Sequence, residues 1–314
     1  MVYYSVSHFS DVHTRGREAL RRLAAILVTG FLCTAFSIGA LAAGAPLKLC
    51  TAGSEGGYYE AGRDMAKHAN PKFLDITVVE TSGSMDNMQR MGRHECGAAI
   101  VQSDAYLVYQ SRHRESPVEV TRNRFMFAEF AHLVCRRDAK VATTTDLLRT
   151  PASRKVFVGA EESGSALTWR AFTILDRRYG QIQAENVGGE DALARLLQGQ
   201  AQCLFFVSGL GSEFGKSVNE RGKDLRLIAI TDDALRNASF GSVTLYEIRH
   251  FPKGRYGNLD SEISGSVVET LTVGATLVIE RHWTERYPNG PSALMGALSG
   301  AMPSISQRLL SDRN

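Results

Sequence analysis

The chain has 314 residues, of which 44% are hydrophobic and 22% charged, and a formal net charge of +3. That composition suits a globular protein of about two domains and excludes a disordered or coiled-coil chain. The basic pairs Arg122/Arg124 and Arg136/Arg137 are too small for a nucleic-acid face, which needs an extended stripe of cations.

At the N-terminus, Arg15, Arg17, Arg21 and Arg22 precede an uncharged stretch from Leu23 to Leu47, and Ala40-Leu41-Ala42 forms a small-x-small cleavage site. This reads as a secretory signal over residues 1–42, which predicts a periplasmic protein. The stretch is also long enough for an uncleaved membrane anchor, and both readings stay open. Removal of residues 1–42 leaves a net charge of +1.

Four cysteines follow: Cys50, Cys96, Cys135 and Cys203. Each lies in or beside an apolar run, where cysteine acts as a small buried hydrophobe. Export permits disulfides in any of three pairings, but the expectation is none. No C-x-x-C occurs, and His94-Glu95-Cys96 alone cannot close a tetrahedral site, so neither metal nor cofactor is expected.

After Pro46 one local pattern recurs. A strand over Leu47–Thr51 leads through Ala52-Gly53-Ser54-Glu55-Gly56-Gly57 into a helix over Tyr58–Ala69. A second strand, Ile76–Glu80, leads through Thr81-Ser82-Gly83-Ser84 to a helix over Met85–His94. A third, Ala98–Val101, leads through Gln102-Ser103-Asp104 to a helix reaching Ser111. Three strand-turn-helix units in succession predict a parallel α/β sheet.

Phe125–Cys135 is a longer apolar segment, and Arg136-Arg137-Asp138 after it marks the passage to a second lobe. The pattern restarts with a strand over Val156–Gly159, the turn Ala160-Glu161-Glu162-Ser163-Gly164-Ser165 and a helix over Ala166–Tyr179. A helix over Glu190–Leu197, a strand over Cys203–Val207 opening onto Ser208-Gly209, and a strand over Leu225–Ile230 follow. Leu271–Glu280 is β-rich, as a second passage between lobes would be. Ser292–Leu310 reads as a closing helix that Pro303 could break. The expected organisation is residues 46–135 plus 240–314 as one lobe and 136–239 as the other.

The turns carry the functional expectation. A helix that follows a strand presents free amide groups and the positive end of its dipole at the carboxyl edge of the sheet. Ser54, Ser84, Ser103, Ser163, Ser165 and Ser208 all stand at such junctions in both lobes. Each could serve merely as a helix cap. Pooled in one crevice, they would hold a small polar or anionic ligand. Tyr58 or Tyr59 could close over that ligand with the other packed inward, while Gln102 and Asn87 offer amides and Gly164 allows close approach.

These turns, in this order, resemble the TAXI family of extracytoplasmic receptors for tripartite (TRAP-type) transporters. The resemblance runs through Thr51–Gly62, Thr81–Asn87, Val101–Asp104, Val158–Thr168 and Phe205–Gly209. It implies a type II periplasmic-binding-protein fold: two α/β lobes joined by hinge strands, closing on an organic acid or an amino acid such as glutamate. It also implies a monomer that delivers its ligand to a membrane permease. The family's glycine before Ser163 is Glu162 here, a carboxylate that could repel an acid or pair with a cation.

No G-x-S-x-G, G-x-x-x-x-G-K-[ST] or H-E-x-x-H occurs, so a binding protein is expected in preference to an enzyme. A sensor with the same lobes but no transporter stays open.

Overall fold

The computed structural model describes residues 44–54, 56–114, 118–241, 243–259 and 267–311. The secretory signal expected over 1–42 lies outside these residues. Among the described residues no helix is long and apolar enough to cross a membrane.

The first lobe is built from the three expected units. Strands β1 (Ala45–Cys50), β2 (Leu74–Val79) and β3 (Ala98–Gln102) each lead into a helix: α1 (Gly57–His68), α2 (Ser84–Gly92) and α3 (Ala105–Arg112). The strands are parallel, in the order β2-β1-β3. β4 (Val120–Arg136) is a single long strand that carries the chain out of this lobe.

In the second lobe α4 (Thr144–Arg149) leads to β5 (Lys155–Phe157), α5 (Gly164–Leu175), β6 (Gln183–Glu185), α6 (Gly189–Leu197) and β7 (Cys203–Ser208). β5 pairs in parallel with both β6 and β7. α7 (Glu213–Glu220), β8 (Leu225–Leu227), α8 (Asp233–Arg236) and the hairpin of β9 (Ser239–Phe240) and β10 (Val243–Thr244) lead to β11 (Tyr246–His250). β12 (Glu269–Glu280) then returns antiparallel to β4 and pairs on its other side with β3 and β11. α9 (Arg281–Arg286) and α10 (Gly290–Ser311) close the chain, and α10 packs on α1.

The sheet thus runs β2-β1-β3-β12-β4-β7-β5-β6, with two long antiparallel strands between two parallel sets. A register shift between Ala275 and Thr276 leaves Met126 of β4 without a partner. At this bulge Met126 and Phe127, neighbours in sequence, join the same core as Leu49, Tyr58 and Ala275. Beyond it Phe127 and Glu129 share a strand face, and both meet Tyr58.

Three expectations need correction. Helix α5 stops at Leu175, because the Asp176 carboxylate receives the Arg178 amide and guanidinium and starts a tight turn that seats Tyr179 in the core. α10 runs unbroken through Pro303. The cysteines are not free: Cys50 bonds Cys96 and Cys135 bonds Cys203, with Cα atoms 5.9 and 4.0 Å apart. Cys135 and Cys203 stand opposite each other on β4 and β7, a pairing that sequence spacing alone does not give.

Candidate functional site

Most serines at the turns already have partners. Ser163 caps α5, accepting from the Ala166 amide at 3.2 Å. Ser84 accepts from the Gln102 amide at 3.0 Å, and Ser165 accepts from the Val207 amide at 2.9 Å. Ser103 donates to the Leu245 carbonyl at 2.6 Å and accepts from the Gly274 amide, so it ties α3 to the long strand β12. Ser208 accepts from the Ser212 hydroxyl at 3.0 Å. The Ser54 amide donates to Glu80 Oε1 at 2.8 Å, and its side chain is exposed.

Asn87 is fully buried. Its Nδ2 donates to the Thr51 and Ile100 carbonyls and its Oδ1 accepts from the Thr81 hydroxyl. It staples β1 and β3 to the turn after β2, and both of its amide donors are taken. Tyr59 is partly exposed, whereas Tyr58 is buried and edge-on to Phe127.

The two lobes meet at two of the expected site residues, Gln102 and Gly164, and at the turn beside them. Gly83 faces the Glu162 carbonyl: a Cβ on Gly83 would lie 3.8 Å from it. Gln102 of the first lobe lies against Gly164 at the start of α5, where a Cβ would fall 2.5 Å from Gln102 Oε1. A side chain at position 164 would push the Gln102 amide aside. Gln102 is 3% exposed, and its Oε1 has no hydrogen-bond partner.

Two carboxylates beside this contact stand out less in the sequence. Asp104 begins α3 but caps nothing; it is fully buried, and one oxygen accepts from the Tyr246 hydroxyl at 3.0 Å. The buried Thr168 hydroxyl of α5 faces the same carboxylate as a second neutral donor. Thr168 and Gly164 are four residues apart, on one face of α5. Burial raises the Asp104 pKa to about 6, against the opposing influence of Thr168, Tyr246 and its own backbone.

Glu129 accepts from the Tyr58 hydroxyl at 2.7 Å. It keeps partial exposure, yet its carboxyl group lies deep enough for burial to raise its pKa to about 7, with Tyr58 opposing and the Asp104 charge adding to the rise. Among the described residues neither carboxylate has an ion-pair partner. The cluster therefore gathers oxygens that seek a donor. The signal for Glu129 was present as the one acidic residue inside Phe125–Cys135, whereas Tyr246 gave none.

A cavity of about 650 Å³, large enough for a small metabolite, adjoins the cluster through Gln102, Ser103 and Tyr246. Its walls are apolar side chains interleaved with Thr272, Thr276 and other hydroxyls, and Glu247 is the one charged residue among the described residues lining it. Among the described residues no group of three His, Cys, Asp or Glu could hold a metal ion.

Solved structures are similar to this chain. The alkanesulfonate-binding protein SsuA from Xanthomonas axonopodis pv. citri, bound to MOPS, aligns with a TM-score of 0.50 at 12% identity, over 86% of this chain and 78% of its own. The periplasmic aliphatic sulphonate binding protein SsuA from Escherichia coli aligns at 0.47 and 11%, over 85% and 77%. A TctC solute binding protein from Polaromonas aligns at 0.45 and 15%, over 85% and 86%. The fold is the two-lobed one of periplasmic binding proteins, and residues 49–285 match the model of the NMT1-like family, to which the chain belongs.

Proposed function

We propose that this protein is an extracytoplasmic solute receptor that captures one small polar metabolite between its lobes without transforming it and hands it to a TRAP-type permease in the membrane. The observation that carries the reading is the contact of Gln102 with Gly164, where facing lobes meet across two long strands; the cavity that adjoins Gln102 is lined by residues of the first lobe and the long strands. In this reading residues 46–135 plus 240–314 form one lobe and 136–239 the other, and β4 and β12 act as the hinge. In the same reading Ser54, Tyr59, Ser163, Ser165 and Ser208 reach the ligand as the lobes close, and residues 1–42 direct export to the periplasm. Differential affinity for the closed form drives closure. The TAXI-like turns and neighbours that are binding proteins support the assignment.

The test is native mass spectrometry of the freshly isolated protein, followed by thermal-shift and calorimetric screening of organic acids and amino acids. The expected result is one small molecule bound 1:1, a higher Tm and a smaller radius of gyration in solution scattering. Absence of any bound or stabilising molecule, or turnover of the bound one, would overturn the reading. A neighbouring gene for a multi-span permease is expected.

A further inference from the structure

We infer that the ligand carries a protonated amine, seated between Gln102 Oε1, Asp104 and Glu129, and that an amine-free organic acid is not the preferred cargo. This deepens the receptor reading and rests on it.

The argument is one of hydrogen-bond satisfaction. Gln102 Oε1 is a buried acceptor without a donor, in a residue 3% exposed, and Asp104, 0% exposed, is a buried carboxylate faced by the neutral hydroxyls of Tyr246 and Thr168 and by no cation among the described residues. A buried polar atom left unpaired costs free energy that a ligand can recover, and an ammonium group supplies three donors. The two acceptors lie along one face of α5, Gln102 against Gly164 and Asp104 near Thr168, so the surface that must open to admit a ligand is the one that exposes them. Glu129 joins from the long strand β4, held by the Tyr58 hydroxyl.

An anion fits poorly here. It would meet two carboxylates without a counter-ion, and the adjoining cavity offers Glu247 and no described Lys, Arg or His. Partial protonation relieves the buried charges, as the raised carboxyl pKa values indicate. A cation would restore ionisation and release protons. The groups facing Asp104 are Tyr246, Thr168 and, at longer range, Glu129; Tyr58 faces Glu129.

The experiment is calorimetry and thermal shift on the full mature protein with matched probes that carry or lack one primary amine: L-glutamate against glutarate and 2-oxoglutarate, and L-lysine and 1,5-diaminopentane against 6-hydroxyhexanoate. The co-purified molecule is identified in parallel. The inference expects an amine-bearing co-purified molecule or an at least tenfold preference for amine-bearing probes. It further expects proton release at pH 6 in buffers of different ionisation enthalpy, and at least tenfold weaker binding of the amine in both Asp104→Asn and Glu129→Gln. If Asp104→Asn does not fold, Glu129→Gln decides. Amine-free acids bound as tightly as their partners, or amine binding unchanged in Glu129→Gln, would overturn the inference and leave the receptor reading standing. If no probe binds and no molecule co-purifies, the receptor reading itself falls.

Discussion

Asn87 shows how a residue in a binding-site motif can serve the scaffold. Its side-chain amide holds two backbone carbonyls and a threonine hydroxyl at zero exposure. Asn87→Ala removes three buried hydrogen bonds, leaving the Thr51 carbonyl only the longer bond from the Thr81 hydroxyl, and the expected loss is roughly 2–4 kcal/mol in urea unfolding. A loss below about 0.5 kcal/mol would refute the staple. Local sequence revealed the Thr81–Asn87 turn because glycine, serine and asparagine act on their own neighbourhood. It did not reveal the acceptor cluster, because Asp104 meets Tyr246 across 142 positions and Tyr58 meets Glu129 across 71.

At the scale of elements, strands and helices were legible wherever a strand opened onto glycine and serine. The long strands were legible as apolar runs, but not the bulge at Met126 that aligns Phe127 and Glu129 toward Tyr58. That bulge depends on the register with β12, which lies far along the chain. The disulfides escaped for the same reason: Cys135 and Cys203 become neighbours only once β4 pairs with β7. The two bonds close loops with sequence separations of 46 and 68. Chain-entropy reasoning gives roughly 4 kcal/mol for each. Replacing either pair with alanine should lower the unfolding free energy by about that amount, and identical denaturation curves for oxidised and reduced protein would contradict it.

For the whole molecule, pH dependence is set by buried groups of opposite sign. His132 is fully buried, hydrogen-bonded to Tyr256 at 2.8 Å and stacked on Phe206; burial lowers its pKa to about 3. The unfolded chain therefore binds a proton below pH 6.5 that the native state refuses, so this contribution weakens as pH falls, by up to about 1.4 kcal/mol per unit. Asp104 and Glu129, with raised values, act in reverse: their contribution is full below the unfolded carboxyl range and is lost as pH rises through about 6 and 7. Between pH 7 and 5 the terms oppose each other in the wild type. His132→Gln should become more stable relative to its own value at pH 7 as the pH falls to 5, with a steeper gain than the wild type shows. Parallel stability–pH curves for the two proteins would refute this balance.

The place of β12 has a consequence for biogenesis. It lies in the middle of the sheet, between β3 and β4, yet it comprises residues 269–280 of 314. A chain emerging from its N-terminus can assemble the parallel sets early, but β3 and β4 wait for the strand that separates them until residues 269–280 have been made. Through that interval their edges are open templates for mispairing, and such long-range closure is slow. Final assembly is thus a late, post-emergence event, and the growing chain depends on whatever shields those edges in the compartment where it folds.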